Sequence, residues 1–160
     1  MPTTRASTGR DELTDAVLSA SRVLVALAAR SLAEHESEVS IPQYRALVLL
    51  ASRGPQRPAD LAAALGIDPS TATRLCDRLV RKRLISRRRK GLDRREVRLE
   101  LTVQGSRLVE SVTARRRREI EQVIANLPAG ERSQLARALA SFAAHAGEIP
   151  EAQWPRIWDL

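Results

Sequence analysis

Between Pro58 and Arg81 the sequence writes two short amphipathic helices with a stop and a start between them, and few architectures accommodate that arrangement. Pro58-Ala59-Asp60-Leu61-Ala62-Ala63-Ala64-Leu65 makes about two turns of helix. Gly66 follows, suited to the left-handed residue that ends a helix. Asp68-Pro69-Ser70-Thr71 then supplies an N-cap carboxylate and a proline at the first helical position, where its missing N–H is no loss. From there Ala72, Leu75, Cys76, Leu79 and Val80 recur at helical spacing and form one buried stripe. The opposite face carries Ser70, Thr73, Arg74, Asp77, Arg78 and Arg81. The spacing is that of a helix-turn-helix.

Downstream, Leu84 to Arg88 and Glu96 to Leu101 read as two strands, the second alternating Val97, Leu99 and Leu101 against Glu96, Arg98 and Glu100. The tip between them is Arg89-Lys90-Gly91-Leu92-Asp93-Arg94-Arg95. From residue 78 to residue 98 there are eleven Lys or Arg and two acidic side chains, so most of the net charge of +8 sits on this segment. Such concentration is an electrostatic footprint for a polyanion. A membrane surface is the weaker reading, because these residues alternate on a hairpin and show no large apolar moment. Hydroxyls and guanidinium groups on the outer face of the second helix suit phosphate oxygens and base edges in a major groove, although a solvated amphipathic helix carries similar residues.

With these elements in place the chain resembles the MarR family of winged-helix transcription regulators. The resemblance rests on Gln43-Tyr44-Arg45-Ala46-Leu47, Asp60-Leu61-Ala62, Ser70-Thr71-Ala72-Thr73-Arg74-Leu75, Asp93-Arg94-Arg95, and Leu101-Thr102-Val103-Gln104-Gly105. It covers roughly residues 11 to 147 and implies a mainly α fold with a small β-hairpin wing. It also implies dimerisation through N- and C-terminal helices, and Asp93 paired with Arg95 at the wing, the arginine entering the minor groove. A narrow minor groove does concentrate negative potential and attract arginine. The DNA contacts expected are Ser70, Thr71, Thr73, Arg74, Arg78, Asp93, Arg94 and Arg95. Two positions depart from the pattern. Arg83 stands where the family often has glycine, a penalty if its φ is positive. Arg57 is a poor N-cap before Leu61.

The remaining chain reads as support for a reader that makes few contacts by itself. Residues 11 to 36, with Leu13, Val17, Leu24, Ala28 and Leu32, form a long helix. Residues 103 to about 126, capped by Thr102, form another, and residues 131 to 147 a third with Leu135, Leu139, Phe142 and Ala146 on a stripe. The resemblance makes 11 to 36 and 103 to 147 dimerisation helices; the alternative is that they close a monomeric core. Ser40-Ile41-Pro42-Gln43 carries a capping-box pattern and opens a helix to Arg53, ended by Gly54-Pro55. Residues 40 to 102 are then the winged helix-turn-helix within a single domain of 11 to 147. Residues 1 to 10 are polar and expected to be mobile.

A chain of 160 residues with 43% hydrophobic content can bury one sizeable core, aliphatic because it has one Tyr, one Phe and two Trp. No secretory segment and no apolar run long enough to cross a bilayer is read, so the expected location is the cytoplasm. The single Cys76 lies on the buried stripe and reads as core packing rather than redox sensing. His35 and His145 belong to no ligand-spaced cluster, no cofactor motif is present, and no nucleophile with a base can be assembled. Neither a metal site nor an enzyme is expected.

Arg115 to Arg118 sweep about 300° of helix surface, so they cannot all face water equally. Arg116 falls on the otherwise apolar row Val112, Arg116, Ile120. Together with Tyr44 it is the candidate site for a small anionic or aromatic effector, against the plainer reading of an inter-helix salt bridge. The tail 148 to 160 holds both tryptophans, Trp154 and Trp158, and is expected to dock on the dimer core rather than stand in water. The function that the resemblance implies is a dimeric repressor on a pseudo-palindromic double-stranded DNA operator, released by an effector. A sequence-indifferent, basic nucleic-acid packaging protein is the alternative.

Overall fold

The computed structural model describes residues 4–35, 39–89 and 97–155. Along them run α1 (Thr4–Leu32), a 3-10 turn (Ala33–His35), α2 (Ile41–Arg53), α3 (Pro58–Leu65), α4 (Pro69–Arg81), β1 (Ile85–Arg89), β2 (Val97–Leu101), α5 (Val103–Ala125), α6 (Ala129–His145) and a 3-10 turn (Glu151–Gln153). The first helix starts at Thr4 rather than Asp11, so the stretch expected to be mobile is helical from its fourth residue. Thr, Arg, Ala and Ser there continue a helix already nucleated downstream.

The core is built around α2. Ala46, Leu47, Leu49 and Leu50 are buried on it, and Leu61, Cys76, Leu79, Leu84, Ile85, Leu99, Leu108, Val109 and Val112 converge from α3, α4, both strands and α5. The helix starts where Ser40 offers its N–H to the Gln43 side chain at 3.1 Å. β1 and β2 pair antiparallel with Ile85 opposite Leu101 and Arg87 opposite Leu99. A short third contact, Gln56 exchanging backbone bonds with Leu99 at 3.0 and 2.8 Å, ties the wing base to the segment before α3.

Three helices end in the same 6→1, 5→2 turn. After α3, Ile67 N–H bonds Ala62 and Gly66 N–H bonds Ala63; after α6, Glu148 bonds Ala143 and Gly147 bonds Ala144. After α4, Leu84 bonds Leu79 and Arg83 bonds Val80. Gly66 and Gly147 take the left-handed site at φ 64° and 73°, and Arg83 takes it at 58°. The arginine is therefore held in a conformation that opposes its Cβ, by the burial of Leu79 and Leu84 on either side of the turn.

The terminal helices behave differently from the lobe. No residue of α6 is buried, and Leu135, Leu139 and Phe142 stand 38%, 47% and 58% exposed. On α1, Leu27, Ser31 and Leu32 pack inward while Leu13, Leu18, Val23, Leu24 and Val25 are exposed. Within one chain α5 and the end of α1 pack on the core, whereas α6 and the first part of α1 leave their apolar side chains exposed. Nor is the chain without a long apolar run: Gly9–His35 contains a stretch of mean hydropathy 1.5, long and apolar enough to cross a membrane, with 17% of it buried. Its sequence is an amphipathic stripe broken by Arg22 and Arg30, and alanine and valine on both faces raise the average.

Candidate nucleic-acid interface

The start of α4 is fixed by Asp68. Its carboxylate accepts from Thr71 N–H at 2.9 Å and from the Ser70 hydroxyl at 2.6 Å. These bonds, Ser70 first and Thr71 next, hold the Asp68 carboxyl far below its ordinary value. Thr73 donates to the Pro69 carbonyl at 2.8 Å, and Arg74 reaches back to the Ser70 and Thr71 hydroxyls at 3.3 and 3.5 Å. The structure thus gathers Ser70, Thr71, Thr73 and Arg74 at one helix end, with Arg78 exposed one turn further on. Ser70 spends its hydrogen on Asp68 and is left an acceptor for Arg74, a division the sequence does not display.

The wing is locked to this helix by a pair that spacing alone does not reveal. Arg87 on β1 donates to Asp77 on α4 at 2.5 Å, and Arg88 pairs with Glu100 across the hairpin. Several of the positive charges on the segment are therefore spoken for. Among the described residues Arg74, Arg78 and Arg81 have no carboxylate partner, and all three lie on the outer face of α4. Arg57, the poor cap, forks the Asp60 carboxylate at 2.8 and 2.9 Å instead. The wing-tip residues Asp93, Arg94 and Arg95 lie outside the described residues.

Cys76 is buried beneath the helix, which pushes its thiol pKa up. No group of three or more His, Cys, Asp or Glu among the described residues could hold a metal ion.

The structure brings the two candidate effector residues together. The Arg116 guanidinium lies 5.4 Å from the centre of the Tyr44 ring and donates to the buried Ser31 hydroxyl at 3.2 Å. Tyr44 meets Thr113 at 3.3 Å, and burial raises its pKa. Neighbouring arginines have acidic partners: Arg115 with Glu34 and Glu119, Arg117 with Glu151 at 3.0 Å. Arg116 has none among the described residues. Beside it a cavity of about 370 Å³ is lined by Thr113, Arg116, Arg117, Ile120 and Glu151.

A MarR family model matches residues 39–97. The chain is 32% identical over 115 residues to the HTH-type transcriptional repressor MdtR of Bacillus subtilis (strain 168), covering 72% of this chain and 74% of that protein. It is 33% identical over 102 residues to the uncharacterized HTH-type transcriptional regulator YdgJ of the same organism, covering 64% of this chain and 62% of that one. Among solved structures, RV1404 from Mycobacterium tuberculosis superposes with a TM-score of 0.81 at 43% identity, covering 88% of this chain and 95% of its own.

Proposed function

Since the chain belongs to the MarR family, whose members are DNA-binding regulators rather than enzymes, we propose that it is a homodimeric repressor reading a pseudo-palindromic duplex. The observation that carries this reading is the row Arg74, Arg78 and Arg81 on the outer face of α4, without a carboxylate partner among the described residues and beside the hydroxyls of its capped end. Such a face meets phosphates and base edges together, the first setting register and the second sequence. In this reading Arg94 and Arg95 meet the minor groove, and Asp93 pairs with Arg95. A reader of duplex DNA works beside the chromosome, which assigns it to the cytoplasm.

The dimer follows from unfinished burial. Exposed Leu13, Leu18 and Val25 on α1 and Leu135, Leu139 and Phe142 on α6 leave apolar surface that a second copy would cover. A second copy related by a two-fold axis covers both and sets two recognition helices one helical turn of DNA apart. Release by a small anionic effector is supported by Arg116, a cation over an aromatic face with only a hydroxyl for partner.

The test compares Arg95→Ala and the parent on specific and random duplex. Loss of a base-reading contact weakens specific binding by roughly 1–3 kcal/mol and leaves random binding nearly unchanged. Equal loss on both sequences would remove the readout and favour the packaging alternative.

A further inference from the structure

Beyond α6 the chain turns back on itself. The turn at Gly147 aims Glu148 at α2, where both carboxylate oxygens meet Arg45 at 3.1 and 2.7 Å. Three residues on, Glu151 accepts from Arg117 on α5 at 3.0 Å. Trp154 then packs half-buried against the core cluster, its indole N–H closing the turn on the Ile149 carbonyl at 2.9 Å. One short segment therefore touches the central helix of the reading lobe, the connecting helix and the end of the outer arm. α6 itself buries no residue on its own chain.

We propose that residues 148–155 are a strap that fixes the reading lobe against the dimerisation arms, and so sets which half-site spacing the dimer accepts. The inference rests on the dimeric reading above. Moving one half-site by a single base pair shifts it about 3.4 Å and rotates it about 35° around the duplex. A strapped lobe resists that rotation, and releasing the strap lets the lobe, still packed on α5, follow more of it. Both ion pairs are partly exposed and weak singly. The indole supplies an apolar anchor, so the strap holds as a sum of small contacts. Glu148 and Trp154 are positioning residues in this scheme, since they act through Arg45 and the core.

The experiment uses the full chain and one pair of selected half-sites, with the spacing set at the optimum or one base pair longer or shorter. Fluorescence anisotropy gives the spacing penalty as a ratio of Kd values. For the parent the penalty should be at least tenfold. For Glu148→Gln/Glu151→Gln it should fall at least threefold while melting temperature and dimer mass stay at parental values. Glu110→Gln/Glu131→Gln adds the same charge away from the strap and should keep the parental ratio. The swap Arg45→Glu/Glu148→Arg should restore selectivity relative to either single change. If the neutral amides leave the strap seated, adding Trp154→Ala releases it. A parental ratio in both the double and the triple variant overturns the strap. A parent indifferent to spacing overturns the dimeric reading and the strap with it.

Discussion

Alanine at position 105 should damage the junction of wing and lobe more than its single methyl suggests. A Cβ placed on Gly105 would stand 2.0 Å from the Leu84 carbonyl oxygen, 3.0 Å from its carbon and 3.1 Å from Leu101 Cδ2. Ordinary contact needs about 3.5 Å, so the carbonyl or the first turn of α5 must withdraw by about 1.5 Å. That oxygen accepts from Thr102 N–H at 3.1 Å, and the Thr102 hydroxyl both donates to the Arg83 carbonyl at 2.7 Å and caps Gly105 N–H at 3.1 Å. The methyl therefore wedges open the point where α4, β1, β2 and α5 meet. Overpacking at 1–3 kcal/mol with one weakened hydrogen bond at about 1 kcal/mol gives a loss of about 3 kcal/mol. For a chain of this length that is a fall in Tm of roughly 6–12 °C, read by far-ultraviolet circular dichroism. Gly130 is the control, since a Cβ there meets nothing within 4 Å and lies inside α6. Gly130→Ala should match or exceed the parent through helix propensity. A Gly105→Ala protein melting within about 2 °C of the parent would refute the close approach.

Arg83→Gly relieves the left-handed conformation at φ 58°, and should stabilise by about 1 kcal/mol, raising Tm by roughly 2–4 °C; an unchanged or lower Tm would show that the turn carries no strain. Asp68 has a depressed carboxyl pKa in the folded chain, so its contribution is complete above the ordinary value of 3.8 and is lost as pH falls through the folded one. Urea titrations of the parent should therefore lose stability below pH 3.8 more steeply than those of Asp68→Asn, which keeps a capping oxygen but does not titrate; parallel curves would sink the assignment. Cys76, buried with its thiol pKa raised, should resist a disulfide reagent at neutral pH until the protein unfolds, and labelling at the rate of a free thiol would reopen a redox role.

Local chemistry was the legible part of this fold. Asp68-Pro69, Gly66, Thr102 and Ser40 each announce a helix boundary through their own backbone or side chain, and the structure places a boundary at each. The resemblance marked Arg83 as a residue at a frequent glycine position, and the structure decides its conformation with a positive φ. Arg116 stood out as an arginine on an otherwise apolar row, while its contacts with the Tyr44 ring and the Ser31 hydroxyl come from the packing of α5 on α2 and α1. Interactions between distant segments were not legible. Asp77 with Arg87, Arg45 with Glu148 and Arg117 with Glu151 depend on the angles at which helices cross, and arginine is so abundant here that no pair stands out by composition. The start of α1 at Thr4 was missed because helix propagation outruns the polar residues that suggest a tail.

The account stands or falls on whether a dimer reads sequence. Selection of bound duplexes from a random library, followed by affinity for the winner and for random DNA across a salt series, tests that directly. The account predicts a pseudo-palindrome with half-sites about one helical turn apart, bound at least 10³-fold more tightly than random duplex at physiological salt. Steep salt dependence with no enriched sequence would contradict it, because counterion release alone would then explain the binding.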